Sequence, residues 1–262
     1  MFQGVLTKMK SHYDAPIQYY LEFDKEFLHM NALLGKEVEI EFLGYQCLNC
    51  HLSKPIFRQG FCKNCFFEIP SAGDWIMRPE LSKAHLDIED RDLAFEKKVQ
   101  LQPHVVYLAV SSNLKVGVTR KSQIPTRWID QGATSAIPII EAPNRYLAGI
   151  TEVALKTHYA DKTNWRQMLQ QSELTIDLQE AKDQSLEYLP KEVKPYIVRN
   201  TKPLHLQFPV KSYPQKVKSL NLEKATRYKG KLVGIKGQYL IFEDQTVFNI
   251  RSNEGLLTSF SM

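Results

Sequence analysis

Cys47-Leu48-Asn49-Cys50 and Cys62-Lys63-Asn64-Cys65 hold all four cysteines of the chain, with eleven residues between the pairs. No other feature limits the fold so tightly. Tetrahedral zinc takes four deprotonated sulfur ligands at about 2.3 Å, and two short knuckles joined by a hairpin-sized loop supply that geometry. Lys54-Pro55 and Gln59-Gly60 suit a turning connector. The alternative is two disulfides, or thiols without metal. Against it, Met1-Phe2-Gln3-Gly4 lacks the charged segment and apolar run of a secretory signal, and no cysteine is left over. His51 could replace a ligand, but four thiolates already complete the shell. A closed four-thiolate shell leaves no position for water, so this zinc would be structural.

A chain of 262 residues holds one large domain or two to three small ones, and 43% hydrophobic and 24% charged residues are ordinary for a water-exposed globular protein. No apolar run reaches the roughly 18–20 residues that span a bilayer, so no membrane partner is expected. With reduced cysteines, the expected location is the cytoplasm. A net charge of +5 is compatible with a polyanionic partner without demanding one.

The expected fold class is α+β: a small antiparallel sheet with flanking helices, a zinc ribbon, and β-rich N- and C-terminal segments. Ile17 to Phe23 is rich in strand formers, and Glu37 to Phe42 alternates polar and apolar with period two. The expected organisation is a β-rich segment at 1–82 with the ribbon at about 45–69, a connector helix within 83–102, an α/β module at 103–172, a helical segment at 173–200, and a β-rich segment at 201–262. The connector is read as helical from Ile88 to Val99, acidic early and basic late. In the module, Val105 to Val110 and Leu114 to Val118 form a hairpin, and Pro125 opens a short helix closed by Gly132. Ala136 to Ile140 is a third strand. Arg145 to Tyr159 is a helix, and Asp161 to Leu169 begins another with Thr163 or Asn164 as cap. The later strands are read at 204–208, 231–235, 239–242, 246–250 and 256–260. Lys211, Lys216, Lys218, Lys224, Arg227, Lys229 and Lys231 read as charges that solvate a loop region.

Within the module, Tyr107 ends one strand, Lys115-Val116-Gly117 sits in the next, Arg127 on the following helix and Glu152 on a later one. This order resembles the GIY-YIG nuclease superfamily in a divergent branch. Val105-Val106-Tyr107 stands where that family has Gly-Ile-Tyr, and Lys115-Val116-Gly117 where it has Tyr-Ile-Gly. Arg127 and Glu152 match its helix arginine and metal-binding glutamate. The resemblance covers roughly residues 104–170. As a whole, zinc knuckles followed by this module resemble an uncharacterised bacterial family known only as a domain of unknown function.

The resemblance implies Mg²⁺-dependent phosphodiester hydrolysis, an endonuclease reaction, with Tyr107, Lys115, Arg127 and Glu152 as catalytic residues. Glu152 would hold Mg²⁺ through a hard carboxylate oxygen, and Arg127 would offer its planar fork to a phosphate. Tyr107 would orient or deprotonate the attacking water. Gly117 would let a ligand or neighbouring helix come close. Lys115 departs from the family tyrosine. A lysine is a poor base near neutral pH unless burial lowers its pKa by several units, so Tyr107 carries that role alone or the module binds without cutting. The expected partner is nucleic acid, DNA or RNA, met by Lys115, Arg120, Lys121, Arg127, Trp128, Lys162, Trp165 and Arg166. The cations would neutralise phosphates and a tryptophan would stack on an unpaired base. The rival reading is a non-catalytic zinc-ribbon protein that binds nucleic acid or serves as a scaffold.

Overall fold

Alternation places Val38 and Ile40 in the core while Glu37, Glu39 and Glu41 face outward, as a half-buried strand requires. That strand, Glu37–Tyr45, lies at the heart of a seven-stranded sheet in a computed structural model that describes residues 1–23, 26–170, 174 and 176–262. Leu256–Ser261 runs antiparallel on one side of it and Arg227–Lys236 on the other. Phe2–Val5 borders Leu256–Ser261, and the far edge continues through Tyr239–Phe242, Thr246–Asn249 and Lys218–Ser219, the last pair parallel. The two β-rich ends of the chain therefore share one sheet. Their core is closed by side chains such as Phe242, Phe248 and Phe260, each at most 1% exposed and each stabilising the fold by roughly 2–3 kcal/mol.

Arg227, Lys229 and Lys231 do not solvate a loop; they stand on the long strand Arg227–Lys236. Its register against Glu37–Tyr45 brings Arg227 to Glu39 and Lys229 to Glu37 (2.8 Å), while Lys231 reaches Glu243 (2.9 Å). Such exposed pairs contribute about 0–1 kcal/mol each. Together with the cysteine hairpin, these β segments form one of two compact units, holding Met1–Phe67 and Leu206–Met262.

The second unit holds Glu68–Met168 and the stretch ending at His205. Its sheet is built from β1 (His104–Val110), β2 (Leu114–Arg120), β3 (Ser135–Ala142) and the two-residue β4 (Leu204–His205), in the order β2-β1-β3-β4 with all pairs antiparallel. Helix α1 (Thr126–Asp130) falls between β2 and β3, and α2 (Arg145–Leu155) comes after β3. Val106, Leu108, Val110 and Val116 pack with Ala148 and Leu155 of α2 in one apolar cluster. Asn144 caps α2 by accepting the Leu147 N–H at 2.9 Å.

Several elements are shorter than the periodicity predicts. The connector helix spans Leu93–Gln100 and does not begin at Ile88, because Asp92 takes the N-cap and accepts from the Phe95 N–H (2.9 Å). The buried Glu96 carboxylate then gathers the backbone N–H groups of Asp90, Arg91 and Asp92, which holds those residues in a turn. α2 stops at Leu155, four residues before Tyr159, and the helix expected from Asp161 is only Trp165–Leu169. The strand read at 204–208 is β4 alone and pairs with Ser135 and Ala136. The expected boundary at 172/173, and the start of the helical segment there, lie outside the described residues. Further along, the chain forms the helix Leu178–Ser185 and two 3-10 turns, Leu186–Tyr188 and Lys191–Tyr196.

Candidate functional site

The hairpin between Cys47 and Cys65 is shaped by backbone choices its sequence makes possible. His51, Gln59 and Gly60 take positive φ (57°, 53° and 79°), and Phe61 N–H closes a tight turn onto Arg58 O at 2.9 Å. A Cβ at Gly60 would fall 2.3 Å from Leu48 Cδ1, so this position needs glycine twice over. The result is four free thiols whose sulfurs all lie within 4.8 Å of one another, with Cys50 and Cys62 Sγ 3.9 Å apart. That spacing fits four sulfurs at about 2.3 Å from one tetrahedral ion. Burial opposes ionisation at Cys47, but backbone N–H groups of Cys50, Cys62 and Asn49 prevail and bring it down to about 6. Asn49 favours ionisation at Cys65, yet burial and the other three sulfurs push it up to about 11. Four thiolates so close cannot coexist without a cation between them. The donor set fits zinc, and His51 stands exposed beside it.

In the central module, Tyr107, Lys115, Arg127 and Glu152 come from β1, β2, α1 and α2, and the charges of Arg127 and Glu152 act on both Tyr107 and Lys115. Tyr107 has no exposed surface, and its hydroxyl donates to Gln131 Oε1 at 2.9 Å. Burial raises its pKa, Arg127 opposes that and Glu152 adds to it. Gly117 lies directly across the ladder from Tyr107. A Cβ there would stand 2.7 Å from the phenol oxygen, so Gly117 makes room for the tyrosine itself and not for a ligand or helix. Lys115 is 4% exposed, and burial together with the Arg127 charge brings its pKa down to about 8 against the pull of Glu152 and Asp161. Glu152 is 9% exposed and pairs with Lys156 at 3.6 Å. Burial raises its carboxyl pKa, Lys156 and Arg145 oppose, and Glu80 adds a like charge.

Glu80 and Arg145 are the members that sequence reasoning missed. Glu80 lies in a run of short 3-10 turns, which carry no hydrophobic periodicity to flag it. It is brought to α2 by close packing: a Cβ on Gly149 would come within 2.3 Å of Glu80 N and 2.4 Å of the Pro79 carbonyl carbon. Arg145 fastens the same segment, donating to Trp75 O (3.1 Å) and Ile76 O (2.7 Å). Glu80 Oε2 is buried and has no hydrogen-bond partner among the described residues. A small-residue position one turn before Glu152 was the only available signal.

The remaining candidates are spread over the module. Arg120 is half-buried at the end of β2, where its charge, with that of Arg145, acts on His104. Lys121 is held by Glu141 at 2.8 Å. Trp128 is 3% exposed and set edge-to-face on Tyr107, centroids 5.6 Å apart, so its ring packs inward. Arg166 lies over the Trp165 ring at 4.3 Å, and Lys162 is exposed nearby in sequence. No helix among the described residues is long and apolar enough to cross a membrane.

Among known protein families, a model described as "Protein of unknown function (DUF2797)" aligns with residues 35–257. Neither the curated proteins nor the solved structures contain a match.

Proposed function

The chain belongs to the DUF2797 family, whose description assigns no activity, and we propose that its central module is a GIY-YIG-like site that binds nucleic acid and hydrolyses a phosphodiester. The observation that carries the reading is convergence. The charges of Arg127 and Glu152 reach both Tyr107 and Lys115, the four residues standing on different elements in the β-β-α-β-α order of the resemblance.

Arg127 is half-buried and presents a planar fork suited to a phosphate oxygen. Lys115, protonated below about pH 8, adds a second positive charge in a site shielded from solvent, where it acts more strongly than in water. Glu152 and Glu80 offer hard carboxylate oxygens, and the unpartnered Glu80 Oε2 fits a role as ligand to a divalent cation. Bound there, Mg²⁺ would neutralise developing phosphate charge and lower the pKa of a coordinated water. Tyr107, through Gln131 at the end of α1, holds the helix that carries Arg127. At the hairpin, zinc on Cys47, Cys50, Cys62 and Cys65 has a purely structural role, and the reduced thiols accord with a cytoplasmic setting.

The test is cleavage of labelled duplex, branched and single-stranded DNA and RNA with Mg²⁺ or Mn²⁺. Wild type cuts at least one of them, and Glu152→Ala abolishes cutting with a nearly unchanged melting temperature. Equal inertness of both chains on every substrate refutes hydrolysis. One observation favours a second reading, binding without cutting: the Tyr107 hydroxyl is sealed from solvent and already engaged, and a lysine stands where the family has its other tyrosine. That reading expects EDTA-insensitive binding and no cleavage.

A further inference from the structure

The zinc hairpin carries an aromatic cluster that its metal site does not explain. Phe57, Phe66 and Phe67 form a mutually packed triad, with centroids 5.4 Å apart for Phe57–Phe66 and Phe66–Phe67 and 5.7 Å for Phe57–Phe67. The thiols behind it are already buried, yet Phe57 is 42% and Phe67 57% exposed. Rings that served only to cover the sulfurs would turn inward. The Arg58 guanidinium lies 5.3 Å from the Phe57 centroid, and Lys54 and Lys63 are exposed on the same hairpin. From Gln46 to Phe67 there is no acidic side chain, and one exposed acid, Glu68, closes the short helix Lys63–Glu68. Glu254 packs by Gly60, but its carboxylate accepts the Lys8 backbone N–H at 2.9 Å. Four thiolates around Zn²⁺ carry a net negative charge of two, which Lys54, Arg58 and Lys63 outweigh over Gln46–Phe67, with Arg58 set directly on the Phe57 ring.

Exposed aromatic faces with Arg58 over one ring and lysines exposed on the same hairpin match one ligand chemistry best: unpaired bases on a phosphate backbone. A protein partner would be served by the rings alone and gains nothing from the guanidinium laid on the Phe57 ring or from the cation excess between Gln46 and Phe67. We infer that the Phe57–Phe66–Phe67 face of the zinc hairpin is a stacking platform for single-stranded nucleic acid. Phe57 and Phe67 take bases on their open faces while Arg58, Lys54 and Lys63 meet phosphates. This shares the nucleic-acid partner of the reading above but none of its residues.

The test measures binding of fluorescein-labelled 20-mers of deoxythymidine and of uridine to the full zinc-loaded chain, by anisotropy across a salt series in EDTA-free buffer without Mg²⁺. The double variant Phe57→Ala/Phe67→Ala weakens binding to at least one 20-mer about tenfold or more, with unchanged zinc content and unchanged salt slope. Arg58→Ala lowers the slope of log K against log salt by about 0.7. As a second readout, Phe67→Trp adds emission that the oligonucleotide quenches. The platform is overturned if the double variant binds as wild type does, if wild type binds neither 20-mer, or if the double variant abolishes self-association, which would make the face an interface between copies. Arg127→Ala separates the two readings: binding lost there and kept in the phenylalanine variant removes the platform alone. The opposite pattern removes the central site alone.

Discussion

The zinc hairpin and the central sheet both hold ionisable side chains away from water, and they arrive there by opposite routes. In the hairpin the four sulfurs come from one short stretch, all of the same kind; against Asn49, burial and the other three sulfurs push Cys65 up to about 11, while backbone N–H groups hold Cys47 near 6. Only a cation reconciles them. In the central module the groups come from several elements and carry both signs, Lys115, Arg127, Arg145 and Lys156 around Glu152 and Glu80, so the two carboxylates offset part of the positive charge. On the zinc reading proposed above, the hairpin's shape depends on a metal, while the module's charged groups are held by packing between its own elements.

The largest expected effect falls on the hairpin. Replacing Cys62 by Ser, or chelating the metal, should remove zinc binding worth on the order of 10 kcal/mol and disorder residues 47–67. Elemental analysis of wild type should find one zinc per chain. A Cys62→Ser chain with full metal and an unchanged melting temperature would erase the contrast.

The module should instead respond to pH without any metal. His104 is fully buried, with Nδ1 2.7 Å from Gln102 O and Nε2 lacking a partner among the described residues. Burial lowers its pKa to about 4, the Gln102 carbonyl opposing and Arg145 and Arg120 assisting. The folded state thus binds fewer protons than the unfolded chain between about pH 4 and 6.5. Stability from this group is complete above 6.5 and is lost as pH falls to 4, by about 3 kcal/mol. Glu152, with its raised pKa, acts in the opposite sense. Urea melts of wild type and His104→Gln across this range isolate the histidine: the variant should lose the steeper acid slope, and parallel curves would contradict the assignment.

A smaller effect tests how Glu80 reaches the site. Gly149→Ala should cost about 1–3 kcal/mol, because the new methyl meets backbone and not a movable side chain. Denaturant midpoints check this. A neutral outcome would mean that the Pro79–Leu81 turn is not fixed on α2.

The same contrast explains what could be read in advance. The cysteine spacing encodes the hairpin because ligand geometry there is local, and the alternation at Glu37–Phe42 encodes its strand for the same reason. The order Tyr107, Lys115, Arg127, Glu152 was legible, but the burial of Tyr107 and Trp128 was not, since it depends on Gly117 opposite and on the packing of α1. Glu80 was invisible: it lies far along the chain from Gly149, in turns without periodicity. The helix start at Leu93 was missed because Glu96 reaches back to three N–H groups, a contact set by side-chain reach and not by charge order.

The most direct test of the central claim is the affinity of the zinc-loaded wild type and Arg127→Ala for a short duplex and its single strands, measured without Mg²⁺ from low to moderate salt. If the module receives phosphate, wild type binds at low salt with a linear fall of log K against log salt, and the variant loses affinity with a slope shallower by about 0.7 to 0.9. Superimposable lines for the two chains would contradict it.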